Sequence, residues 1–168
     1  MVSRIPIAWG RRRLVSLVKA HENPSTPTTT QASVHIRTLV VDDSPVALTT
    51  LTGFLETQAA FQVVGVAGNG REALAQVAAL HPALVLMDLQ MPVMGGLQAT
   101  RLIADRFPEV RVVVVSTHDS LAWQTASAAH GASGFVAKTR LGTDFPRLVS
   151  QLFIAAPAPG VAGADPRA

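Results

Sequence analysis

Several polar residues stand where apolar runs stop, and their types suit metal-assisted chemistry on phosphate. Asp42 and Asp43 follow LVV, Asp88 follows LVLM, Ser116 and Thr117 follow VVVV, and Lys138 follows GFVA. Three carboxylates gathered from two such ends repel one another strongly at reduced dielectric unless a cation joins them. A donor set of oxygen alone, without His or Cys, favours Mg2+, which keeps several waters and bridges carboxylate and phosphate oxygens. Acids in such places also serve simply as caps of the helices that follow, and Asp42-Asp43 taken alone fit that use. Asp88 fits it poorly, because Leu89-Gln90-Met91-Pro92 and then Gly95-Gly96 spell a long loop. Lys138, closing another run, adds weight to a chemical site.

The runs themselves must position these groups. Residues 36–41 (IRTLVV), 62–67 (QVVGVA), 83–87 (ALVLM), 110–115 (VRVVVV) and 134–137 (GFVA) read as five strands. Most are continuously apolar, as suits strands buried on both faces. Between them, Ala47/Leu51/Phe54/Leu55, Leu74/Val77/Ala78 and Ile103/Phe107 fall at helical spacing, as do Phe145/Leu148/Val149/Leu152 after the fifth strand. A fourth helix is expected over about 120–130. Five strands alternating with five helices predict an α/β fold, a doubly wound parallel sheet with right-handed crossovers and helices on both faces. Ligands of such sheets bind beyond the carboxyl ends of the strands, where the polar residues lie. Pro45 suits a first helical turn capped by Ser44 or Asp43, while Gly68-Asn69-Gly70 and Gly95-Gly96 turn the chain before the second and third helices.

The segments LVVDDS, LMDLQMPVMGG, VVVVST and GFVAKT, in this order, resemble the receiver domain of two-component response regulators from about Thr38 to Phe153. The resemblance implies a flavodoxin-like five-stranded parallel sheet of order 2-1-3-4-5. It also implies a phosphoprotein that takes a phosphoryl group from a sensor histidine kinase or a histidine phosphotransfer protein in a phosphorelay. By that resemblance Asp88 is the phosphoacceptor, and Mg2+ is held by Asp42, Asp43, Asp88 and the backbone carbonyl of Gln90. Lys138 pairs with the phosphoryl oxygens, and Ser116 rather than Thr117 binds them through its hydroxyl. Phe135 matches the switch aromatic whose rotamer carries the signal to the outer surface. Gln90 and His118, two residues beyond Asp88 and Ser116, occupy positions that tune the lifetime of the aspartyl phosphate.

One departure bears on output. Lys138 is followed by Thr139 where many receivers have a cis-proline; receivers coupled to helix-turn-helix domains often lack it, and NGREAL and STHD resemble that subclass. Only one helix and an Ala/Pro tail are read after Lys138, so the expectation is a stand-alone receiver, or one that has lost a DNA-binding output domain. Its output is then protein binding to a downstream partner, with Trp123 as a contact candidate and a homodimer through the fourth-helix, fifth-strand and fifth-helix face as a further expectation. The only enzymatic activity implied is Mg-dependent self-phosphorylation and self-dephosphorylation.

Composition narrows the field. The chain has 168 residues, 48% hydrophobic and 15% charged, enough for one domain with unstructured ends. The absence of Cys excludes disulfides, thiolate metal sites and a cysteine nucleophile, and suits the cytoplasm. The net charge of +3 divides unevenly: residues 1–37 hold six bases and one acid, whereas 38–168 hold eight bases and ten acids. The body therefore lacks a basic stripe, and no nucleic-acid partner is expected. Residues 1–35 read as a disordered basic arm with a Pro/Thr-rich linker, 36–154 as the receiver domain, and 155–168 as an Ala/Pro-rich tail. Arg11-Arg12-Arg13 before Leu14–Val18 resembles the start of an export signal, but the apolar stretch is short and no small-residue cleavage site follows. No run approaches the roughly 18 apolar residues of a membrane span, and no membrane partner is expected.

Rival functions need other residues. A flavin phosphate would be repelled by Asp42-Asp43, and a dehalogenase-like phosphatase needs a second Asp where Ser44 stands. No GxxxxGK[ST] loop is present. The remaining rival is a docking module that keeps the receiver fold without phosphorylation, against which the retention of Asp43, Asp88, Ser116 and Lys138 argues.

Overall fold

The computed structural model describes residues 35–153. Strand β1 (Ile36–Val41) leads to α1 (Pro45–Glu56), then β2 (Phe61–Ala67), α2 (Gly70–Leu80), β3 (Leu84–Met87) and α3 (Gly96–Arg106). The chain continues through β4 (Arg111–Ser116), α4 (Leu121–Ala129) and β5 (Gly134–Ala137) to a 3₁₀ turn (Lys138–Arg140) and α5 (Leu141–Phe153). All strand pairs are parallel and the order is β2-β1-β3-β4-β5, so β1 and β3 are central. The expected α/β architecture of five strands and five helices is present, and the order agrees. The expected arm, its export-signal resemblance and the tail lie outside the described residues.

Alternation along the strands divides the core between the two sheet faces. Leu39, Val41, Val85, Met87 and Val112 pack with Ala73, Val77, Ala99 and Ile103 of α2 and α3. Val40, Leu84, Leu86, Val113, Val115 and Val136 pack with Leu51, Leu55, Leu141, Phe145 and Val149 of α1 and α5. On this second face the Phe145 ring meets Phe54 at 5.8 Å and Phe61 at 5.4 Å between centroids.

β2 stands at the edge, as the order 2-1-3-4-5 implies; only its Ala67 is buried and Val66 is exposed. The strand bounds differ from the expected ones by single residues; the shift that matters takes Ser116 into β4, paired with Ala137 of β5.

Local chemistry explains the helix starts. Ser44, not Asp43, caps α1, its side chain accepting from Ala47 N at 3.3 Å with Pro45 next in the first turn. Asn69 caps α2 through Arg71 N and Glu72 N, and the Glu72 carboxylate reaches back to Gly68 N at 2.9 Å. Gly95 stands at the start of α3 with no side chain to cap it.

Candidate functional site

Asp42 follows directly on β1 and its N–H still donates to Ala67 O at 3.0 Å, whereas Asp43 lies in the bend beyond. The inward one is Asp42, 1% exposed, while Asp43 faces solvent. Asp88, 8% exposed, leaves the end of the adjoining strand β3. Lys138 begins the 3₁₀ turn after β5 and reaches back across the sheet edge. Its Nζ lies 2.6 Å from Asp42 Oδ2 and 2.7 Å from Asp88 Oδ1.

The remaining oxygens of both carboxylates are also engaged. Asp42 Oδ1 accepts from Ser44 N at 3.0 Å, and Asp88 Oδ2 accepts from Gln90 N at 2.7 Å. Ser116 Oγ, on buried β4, accepts from His118 N at 3.0 Å, which leaves its own proton to give. Burial raises the pKa of Asp88 above the usual carboxylate range, with the Asp42 charge adding to it; the hydrogen bond and charge of Lys138 oppose the rise without cancelling it. Burial pulls the Lys138 ammonium down, but hydrogen bonds and charge from Asp42 and Asp88 outweigh it and hold the pKa above the ordinary lysine value.

The loop after Asp88 is held by backbone contacts that the sequence does not spell out. Met94 N donates to Pro92 O at 2.7 Å, closing a three-residue turn around Val93, whose φ of 68° is strained for a β-branched residue. Gly96 N donates to Leu89 O at 2.9 Å. A methyl group on Gly96 would collide with the Asp88 carbonyl oxygen, so only glycine permits α3 to start this close to the site.

Sequence reading named eight site residues, and the structure treats them differently. Asp42, Asp88 and Lys138 are in direct contact. Ser116 ends β4, which pairs with both β3 and β5. Gln90 contributes its N–H to Asp88 while its side chain is exposed. His118 is exposed, its ring 6.4 Å from that of Trp123 on α4. Phe135 is half-buried in β5, opposite Val114. Among the described residues no three acidic or histidine side chains are grouped closely enough to hold a metal by themselves. The fit for Mg2+ rests instead on Asp42 and Asp88, which already converge on one positive charge, with exposed Asp43 adjoining Asp42; water-rich Mg2+ needs no closed cage.

Two groups near this edge escaped the sequence reading: Gly96, read only as a turn, and Arg140, which is bonded to Asp119. A cleft of about 390 Å³ opens beside Lys138, lined by Val46, Ala47 and Thr50 of α1 and by Thr117.

Comparison with known families decides what this constellation belongs to. The profile of the response regulator receiver domain matches residues 38–150, well over half of the chain. The chain belongs to the response regulator receiver family. This receiver is 38% identical over 103 residues to the transcriptional regulatory protein MctR of Rhizobium johnstonii, covering 61% of this chain and 48% of that protein. It is 40% identical, with the same coverage, to the response regulator GacA of Pseudomonas viridiflava. It is 43% identical over 104 residues to a protein-glutamate methylesterase/protein-glutamine glutaminase of Geobacillus kaustophilus, of which it covers 30%. The receiver thus spans about half the length of the first two and less of the third. Among solved structures, the response regulator domain of Thermotoga maritima CheB matches with a TM-score of 0.66 at 29% identity, covering 73% of this chain and 99% of that one. A LuxR-family response regulator from Aurantimonas sp. matches at 0.68 and 26%, covering 72% and 86%.

Proposed function

We propose that this receiver accepts a phosphoryl group on Asp88 from a sensor histidine kinase or a histidine phosphotransfer protein. The observation that carries the reading is Lys138 Nζ lying between the buried carboxylates of Asp42 and Asp88 at one end of the sheet. Asp88 attacks the phosphorus of a phosphohistidine; the phosphorus–nitrogen bond breaks as the phosphorus–oxygen bond forms, and the imidazole leaves with the electron pair. Lys138 stays within reach of the new phosphoryl oxygens and balances their charge. Ser116, with its proton free to donate, binds one of them. Asp42, Asp43, Asp88 and the Gln90 carbonyl would hold Mg2+, which supplies charge neutralisation for nucleophile and phosphoryl group.

Phosphorylation then favours one of two arrangements of the α4–β5–α5 face, with Phe135 as the switch aromatic, and the product is read by a protein partner or a second copy. Gln90 and His118 set how fast water removes the phosphoryl group. The family and the absence of a membrane-spanning helix among the described residues favour a cytoplasmic setting. The test is intact-protein mass after incubation with acetyl phosphate and Mg2+, for the wild type beside Asp88→Asn. One added phosphoryl group, absent in the variant, is expected; no adduct in a folded, Mg-binding protein with either acetyl phosphate or a phosphorylated histidine donor overturns the reading.

A further inference from the structure

Beyond the site, a second cation stands between two acids. Arg140, in the turn opened by Lys138, places Nη2 2.7 Å from Asp119 Oδ2 and Nε 2.9 Å from Asp144 Oδ2. Asp144 lies in the first turn of α5 and is a local partner, whereas Asp119 belongs to the loop between β4 and α4. Asp119 is itself gripped on its other oxygen by Gln124 Nε2 of α4 at 2.9 Å. The Arg140–Asp119 pair therefore ties together two loops that the backbone alone leaves independent.

Those loops adjoin the groups meant for phosphate. Ser116 and Ala137 are paired at the last rung of β4 and β5, and beyond that rung the chains diverge. Lys138 follows immediately on one side. On the other, Ser116 is fixed by His118 N, the residue before Asp119. The ion pair closes a ring running Ser116, His118, Asp119, Arg140, Lys138. Nothing else among the described hydrogen bonds and ion pairs links residues 117–120 to residues 138–140.

We propose that Arg140 is a positioning residue for phosphoryl transfer, holding the loop that follows Ser116 to the Lys138-bearing turn through Asp119. It touches no reacting atom. Its effect is geometric: with the ring closed, hydroxyl and ammonium face one phosphoryl group at a fixed separation, and with it open each must be ordered anew at the transition state. The inference rests on Asp88 being the phosphoacceptor.

The test is the rate at which acetyl phosphate and Mg2+ phosphorylate Asp88 in the whole chain, followed by intact mass. Arg140→Ala and Asp119→Asn are each expected to slow it about threefold, the scale of a partly exposed ion pair. The double variant should be no slower than either alone, since both remove one contact. Arg140→Lys, which keeps a charge for Asp119, recovers most of the rate, and Asp144→Asn, which removes only the local partner, leaves it unchanged. In a Trp9→Phe background Trp123 is the sole indole, and its emission should differ between wild type and Arg140→Ala because the ring of His118, in the released loop, lies 6.4 Å from that of Trp123 in the first turn of α4. Wild-type rates in Arg140→Ala, or additive losses in the double variant, overturn the inference while leaving the phosphoacceptor intact. Failure of the wild type to take up phosphate overturns the phosphoacceptor reading itself.

Discussion

Lys138 and Arg140 stand two residues apart, and each lies between two aspartates at closely similar distances. What separates them is water. The side chains of Asp42 and Asp88 are 2% and 10% exposed and that of Lys138 is 23%, whereas Arg140 is 54% exposed and its partners more than 30%. In the inner cluster solvent screens the charges only weakly, so removing the lysine leaves two carboxylates uncompensated. In the outer cluster each charge has water as an alternative partner, and the pair is worth little energy but still fixes a direction. The same arrangement of one cation and two carboxylates is therefore strongly coupled when buried and only weakly so when wet.

The comparison can be pressed hardest through the backbone. Gly96→Ala drives a methyl group into the Asp88 carbonyl and distorts the inner cluster without altering its charge; a loss of about 3 kcal/mol is expected in urea denaturation, with loss of phosphorylation. Lys138→Met leaves two buried carboxylates facing each other. Breaking a fully buried pair costs about 3–5 kcal/mol, and the partial exposure of Lys138 reduces this to about 2 kcal/mol; phosphorylation slows about a hundredfold. Asp88→Asn, by contrast, removes a charge that burial disfavours and keeps the Asp42–Lys138 pair, so the thermal midpoint is unchanged or higher although phosphorylation is abolished.

Titration separates the clusters next. Because the folded pKa of Lys138 lies above its unfolded value, its contribution is complete below about pH 10.4 and is lost as pH climbs through the higher folded value. Urea midpoints of the metal-free protein should fall in that alkaline window, and Lys138→Met should flatten the fall. The smallest effect belongs to the outer pair. Arg140→Ala should lower stability by less than about 1 kcal/mol, and the difference should vanish near 1 M salt, where the Debye length is about 3 Å.

Sequence reading reached the inner cluster because each of its members closes an apolar run, and runs are visible without coordinates. It joined Asp42 and Asp43 as one acidic pair and weighed Asp43 among the retained site residues; the folded chain separates them, burying Asp42 and leaving Asp43 exposed in the bend after β1. Asp119 and Arg140 were out of reach for another reason. They sit in loops without periodicity, and no local pattern marks an ion pair that closes only when β4 and β5 lie side by side. The need for glycine at 96 was equally hidden, since the atom it makes room for belongs to the backbone of Asp88.

The strand order has a consequence for how the site comes apart. Asp42 and Asp88 leave β1 and β3, which have hydrogen-bonded neighbours on both sides, while Lys138 follows β5, four residues long and paired only with β4. Amide exchange should accordingly be slowest in the strands bearing the carboxylates and faster in the one bearing the ammonium. Fraying of the β5–α5 corner is therefore expected to dismantle the charge cluster from its cationic side first, leaving Asp42 and Asp88 on the strands that open last.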